Sequence, residues 1–185
     1  MNVEGIILAA GFSKRAGVFK LTLELQGKTV IERCIDSMHA ACSRIIVVTG
    51  YRQDLLVPYI RKYSNTEMVY NMDYADGMYS SIKAGVKHVS GDCFFMIPGD
   101  YPAIKCDTYK RMLCADGDII IPLYEGRKGH PVLISRRNIS GILTNDQCSS
   151  LSQYISLKGF TPVETDDPGI LMDIDYIWDC MYVNS

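Results

Sequence analysis

Three cations crowd the stretch Leu8-Ala9-Ala10-Gly11-Phe12-Ser13-Lys14-Arg15-Ala16-Gly17-Val18-Phe19-Lys20, directly after an apolar run. Small residues let a backbone approach a ligand closely, and its N–H groups can then point at phosphate oxygens. Arg15 could grip a phosphate through two parallel hydrogen bonds, and Lys20 could act as a point charge. The same residues also suit a surface turn whose charges are merely solvated. Their place directly after a buried first strand favours an anion site. Neither GxxxxGK[ST] nor GxGxxG is present, so this is neither a Walker loop nor a dinucleotide fingerprint.

A polyphosphate bound there would call for a hard cation, and carboxylates would hold it. Asp100 follows the apolar run Cys-Phe-Phe-Met-Ile in Pro98-Gly99-Asp100-Tyr101-Pro102. A carboxylate on a turn at the end of a buried strand is well placed to bind metal, although it could also only shape the turn. A second acid should come from elsewhere. Asp173 and Asp175 are candidates, since alternate residues of an extended segment face one side; Asp175 could equally cap a last helix. Arg127, Lys128 and His130 form the chain's other compact cationic group, in Gly126-Arg127-Lys128-Gly129-His130-Pro131-Val132. A second ligand carrying a phosphate would suit such a group, and the two glycines would let the segment move. A histidine beside a proline can also be purely structural. Ser80 and Ser81 follow Gly77-Met78-Tyr79 and could cap a helix or present hydroxyls to a base or ribose.

These residues must be positioned by strands and helices that alternate. Strands are expected at 5–10, 44–49, 67–71, 93–97, 118–122, 131–135 and 161–164. Helical periodicity marks 29–42, 53–63, 80–89, 107–114, 149–157 and 174–182, with Pro58 weakening the second of these or marking its start. Alternation of this kind predicts one three-layer α/β/α domain over residues 1–185, Rossmann-like, with a mostly parallel sheet. Ligands of such folds bind beyond the carboxyl ends of the strands.

Composition narrows the function. The formal net charge of −2 provides no global basic field for nucleic acid. No apolar run approaches bilayer length, and the start, MNVEGIILAAG, does not read as a signal peptide. Seven scattered cysteines without a CxxC pair fit reduced thiols of a cytoplasmic protein rather than a zinc site.

The pattern LAAG-x-S-x-R-x-G-x-x-K-L resembles the signature loop of the MobA-like nucleotidyltransferases, and among them it looks most like the molybdenum cofactor cytidylyltransferases. Further motifs fall in the right order over nearly the whole chain: Gly77-Met78-x-x-Ser81, Gly99-Asp100-x-Pro102, Gly129-His130-Pro131-Val132 and Asp173-Ile174-Asp175. The resemblance implies a nucleotide held by Leu8, Ala9, Ala10, Gly11, Ser13, Arg15, Lys20, Gly77 and Ser81. It implies Mg²⁺ on Asp100 and Asp175, with Asp173 as a rival, and catalysis by Arg15, Lys20 and Asp100. Lys128 and His130 would bind the acceptor. The implied donor is CTP and the implied acceptor molybdopterin, with transient contact to a molybdoenzyme, and with neither nucleic acid nor membrane as partner. Three departures stand out: Ala16 where methionine or phenylalanine is usual, Tyr101 for glutamine, and Tyr176-Ile177-Trp178 for Thr-Pro-Glu. A relative using a sugar or alditol phosphate, or a non-catalytic module serving a molybdoenzyme, are the alternative readings.

Overall fold

The structure, a computed structural model, describes residues 1–12 and 19–174. Strand β1 (Val3–Ala9) is followed by a tight hairpin, β2 (Glu24–Leu25) and β3 (Lys28–Thr29), and by helix α1 (Val30–His39). Then come β4 (Arg44–Thr49), the short α2 (Val57–Ile60), β5 (Thr66–Tyr70), α3 (Met78–Val86), β6 (Cys93–Pro98) and α4 (Cys106–Leu113). The last third holds β7 (Ile119–Tyr124), β8 (Arg127–Lys128), β9 (Val132–Ser135), α5 (Ile139–Thr144), α6 (Leu151–Lys158) and β10 (Thr161–Glu164). The main sheet runs β10-β7-β9-β6-β1-β4-β5, with β8 paired to β7. Every strand in it except β8 and β9 points the same way.

The strands are apolar along their whole length because both faces are covered. Ile45 and Val47 of β4 enter one core with Ile31, Cys34, Ile35 and Met38 of α1. Their neighbours Ile46 and Val48 enter the other, with Ile82 and Val86 of α3. Side chains of a strand alternate in this way, so a strand buried on both faces reads as an unbroken Val/Ile run. The expected three-layer, mostly parallel α/β fold is therefore present.

Several local expectations are corrected. Thr29 is not inside α1 but caps it: its hydroxyl accepts from Glu32 N while the Glu32 carboxylate accepts from Thr29 N, a reciprocal capping box. The helix expected over 53–63 breaks into a 3₁₀ turn, Gln53–Leu55, and α2, with Pro58 at the start of the latter. Neither Ser80 nor Ser81 caps α3; Gly77 does, at φ 98°. The β2–β3 hairpin turns on Gln26 and Gly27, both at positive φ. The helix expected over 174–182 falls, from 175 on, outside the described residues. Of the described cysteines, Cys34, Cys42, Cys93 and Cys148 are buried and all are unpaired. Among the described residues no helix is long and apolar enough to cross a membrane.

Candidate functional site

Strands β1 and β6 lie side by side in parallel, with Leu8 opposite Pro98. Their carboxyl ends therefore deliver Ala10-Gly11 and Gly99-Asp100 to one edge of the sheet. Gly99 N donates to Leu8 O at 2.8 Å and ties the two turns together. Ala10 is buried, and its methyl packs where a Cβ added to Gly50 would come within 2.9 Å. Ala10 therefore sits against the Gly50–Tyr74 wall. Ser13 and Arg15 lie outside the described residues.

Lys20 returns to this edge from a 3₁₀ turn pinned by buried Phe19 and Leu21. Its Nζ donates to Asp100 Oδ2 in a close ion pair. The two side chains keep only 15% and 19% of their surface exposed, so the pair is strongly shielded from water. The other carboxylate oxygen, Oδ1, is buried without a hydrogen-bond partner. A shielded anionic oxygen with a spare lone pair is a natural ligand for a hard cation. Beneath it, the Cys34 thiol donates to Gly99 O at 3.2 Å. Burial, and then the Asp100 charge, push that thiol far above its ordinary pKa, so it stays neutral.

The carboxyl-terminal segment closes over this turn. Ile174 N donates to Asp100 O at 2.9 Å, and Asp173 lines the adjoining cleft. Asp175 lies outside the described residues. Among the described residues no three His, Cys, Asp or Glu side chains converge as a ready metal cluster. The segment is anchored by Asp167, which sequence reasoning missed. One of its oxygens accepts from Lys105 N (2.8 Å) and Thr108 Oγ1 (2.7 Å), the other from Gly169 N (2.9 Å). Only the Asp-Pro-Gly run, a turn signal, pointed to it.

A cleft of about 760 Å³ extends from Leu8, Pro98 and Tyr101 past Gly77 to Lys128 and the start of α6. Lys128 and His130 both line it, but they differ in character. Lys128 is exposed and its Nζ lies 4.1 Å from the Phe160 ring centre. His130 is held down: its N–H donates to Ile170 O at 2.9 Å, and its ring stands edge-on to Tyr101 with centroids 4.7 Å apart. Burial lowers its pKa to about 4 against the opposing pull of Asp100. It is therefore neutral at pH 7 and does not belong to a cationic cluster with Arg127 and Lys128. Nor is Gly129 a hinge. A Cβ there would fall 2.4 Å from Ile170 O, so the glycine serves close packing.

Ser81 is buried rather than presented to a ligand; its hydroxyl accepts from Asn71 Nδ2 at 3.0 Å. Asn71 also reaches Ser80 Oγ (2.8 Å), while its own side-chain oxygen accepts from Asp73 N (3.0 Å). Asn71 thus shapes the loop that carries Gly77, a role nothing in the sequence singled out. The aromatic residues, scattered along the sequence, gather here too: Phe12 lies 5.2 Å from Tyr51 and 5.4 Å from Tyr74.

This geometry has relatives. Residues 5–159 match the MobA-like NTP transferase domain. The chain belongs to that family and is a nucleotidyltransferase. It is 33% identical to the molybdenum cofactor cytidylyltransferase of Escherichia coli K12, over 94% of this chain and 91% of that protein. It is 28% identical to a probable molybdenum cofactor guanylyltransferase of Bacillus cytotoxicus, over 69% and 65% of the two chains. A nucleotidyl transferase from Methanothermobacter thermautotroptrophicus superposes with a TM-score of 0.82 at 24% identity, covering 99% and 96%.

Proposed function

We propose that this nucleotidyltransferase moves CMP from CTP to the phosphate of molybdopterin, with Mg²⁺ as cofactor and pyrophosphate as leaving group. The observation that carries this reading is the meeting of Lys20 with Asp100 at the edge where β1 and β6 end. One side chain can neutralise phosphate, the other can hold the cation that a triphosphate needs. The 33% identity to a cytidylyltransferase supports CTP as donor.

An oxygen of the acceptor phosphate forms a bond to the α-phosphorus, and the bond from that phosphorus to the bridging oxygen breaks. The electron pair leaves with pyrophosphate. The nucleophile is already anionic at neutral pH, so no general base is required, and a neutral His130 is no obstacle. Catalysis is then positioning and charge neutralisation. The main-chain turn from Ala10 to Gly11 would approach the triphosphate. Lys20 would neutralise the leaving pyrophosphate, with Arg15 beside it by resemblance. Asp100, together with Asp175 or Asp173, would hold the metal, and the buried, unpartnered Oδ1 fits that task. When bound, the ion would supply Lewis-acid polarisation of the α-phosphate. Lys128 would meet the acceptor's charge at the rim of the cleft. We read residues 1–185 as one domain serving this reaction, its product passing to a molybdoenzyme.

The test is pyrophosphate release with Mg²⁺, each of the four NTPs and a panel of phosphate acceptors. Turnover should require CTP and molybdopterin together. Equal turnover with a sugar or alditol phosphate, or none with any pair, would overturn this assignment.

A further inference from the structure

The cleft is zoned. Its floor is formed by Met96, Ile121 and Val132, all nearly inaccessible to solvent. Arg127 and Lys128 stand exposed on its rim. Between floor and rim stands the edge-to-face pair of Tyr101 and His130, with an interplanar angle of 68°. Two of the serines on the far wall are engaged by Gln153 of their own helix. Ser149 Oγ donates to Gln153 Oε1 (3.1 Å), and Ser150 Oγ accepts from Gln153 N (3.2 Å).

A sugar or alditol phosphate carries hydroxyls along its whole length, and each would need a partner in such a cleft. The apolar floor supplies none, so the polar partners are confined to the rim and the serine wall. A flat heteroaromatic ring instead offers two apolar faces and confines its polar atoms to the edge. Such a ring matches an aromatic wall above an aliphatic floor.

We propose that Tyr101 determines acceptor specificity by stacking on the flat heteroaromatic part of the acceptor, with His130 fixing the tilt of the tyrosine ring. This rests on the reading that the cleft receives the acceptor. The pair is rigid for reasons on both sides. Tyr101 follows Asp100, whose carbonyl accepts from Ile174 N, and the main chain of His130 is bonded to Ile170. The acceptor's phosphate would then lie toward the turn that carries Asp100, within the field of Lys128 at the rim, with the ring body held by Tyr101.

The probe is neopterin monophosphate, a fluorescent flat heterocycle bearing a phosphate, titrated into the protein. Wild type should bind it and quench its emission, and ribitol 5-phosphate should not displace it. Tyr101→Leu should weaken binding about tenfold or more, the loss of one stacking contact, while Tyr101→Phe stays within about threefold of wild type. Tyr101→Gln, with circular dichroism as a fold check, replaces the leucine variant if that one does not fold. CTP binding, measured separately, should be the same in all of them. Unchanged neopterin phosphate affinity in Tyr101→Leu or Tyr101→Gln would overturn the stacking role while leaving the acceptor site in the cleft. Displacement of the probe by ribitol 5-phosphate, or no binding by wild type, would overturn the preference for a flat ring. Loss of CTP binding by wild type would instead count against the transfer reaction itself.

Discussion

Asp100→Asn removes one charge and keeps the shape of the side chain, so its effects can be separated. The first is on stability. Lys20 loses the partner of its ion pair at a place where both side chains are 15–19% exposed. Removing one partner of a fully buried pair costs about 3–5 kcal/mol, and of an exposed pair about 0–1. The intermediate exposure here implies about 1–2 kcal/mol. For a chain of this size each kcal/mol moves the melting temperature by about 2–4 °C, so the variant should melt about 2–8 °C lower. The second effect is on rate. If Asp100 holds the cation as proposed, its loss should cost about a thousandfold, equivalent to about 4 kcal/mol of transition-state stabilisation. Thermal melts followed by circular dichroism read the first, and pyrophosphate release at saturating substrates reads the second. Mn²⁺ binding by electron paramagnetic resonance separates metal loss from misfolding. A folded Asp100→Asn protein with turnover within threefold of wild type would refute the proposed metal site. Asp175→Ala should cost more rate than Asp173→Ala, and the reverse order would move the second ligand to Asp173.

The remaining expectations concern selectivity and pH. CTP should be preferred over GTP by at least about tenfold, or 1.4 kcal/mol, and Ala10→Gly should narrow the ratio by loosening the packing against Gly50 and Tyr74; an unchanged ratio in a competition assay would place base selection elsewhere. Lys128→Ala should raise the acceptor's KM with nucleotide binding nearly unchanged, and wild-type kinetics toward every acceptor would remove Lys128 from the site. His130 has a folded pKa of about 4 against an ordinary value of 6.5. The unfolded chain therefore binds the extra proton first, and the stability tied to this group is present above 6.5 and lost as pH falls through that window. Between pH 7 and pH 5 the loss should be about 2 kcal/mol in urea unfolding. His130→Gln should flatten that slope, and parallel wild-type and variant curves would refute the neutral assignment.

The sheet was legible because strands buried on both faces leave unbroken apolar runs: residues 161–164 were placed to the residue, and 44–49 likewise. Asp100 was legible because it follows such a run, and Lys20 because it clusters with other cations. Short-range signals were overlooked where they are weak. Gln26-Gly27 turns a hairpin without the usual Asn or Asp, and α5 holds only Ile142 fully buried, too little to show a helical period. Residues whose partners lie far along the chain could not be found. Asp167 finds Thr108 across 59 positions, and Asn71 acts through Ser80 and Ser81 in the next helix. The surroundings of His130 are not legible for the same reason, since neither the Ile170 carbonyl nor the Tyr101 ring beside it is local in sequence.

One reversed strand explains why the Gly129-His130-Pro131 and Gly99-Asp100 motifs meet. Strand β9 lies between β6 and β7 and runs antiparallel to both, with Val132 opposite Met96. Its start therefore lies at the carboxyl end of β6, and His130, two residues before Val132, arrives beside the turn that carries Asp100. A parallel β9 would begin at the opposite edge. Six residues of β6 at about 3.3 Å each would then separate His130 from Asp100 by about 20 Å, too far for one phosphoryl centre to touch both sides. The reversal needs only a short connection, and β8 provides it. Glu125 and Gly126, both at positive φ, turn the chain so that Arg127 and Lys128 pair back onto Tyr124 and Leu123. The hairpin that carries the rim cations is thus also the device that reverses the chain. Lengthening it would displace Lys128 and His130 together, whereas a change confined to the first loop would leave both in place.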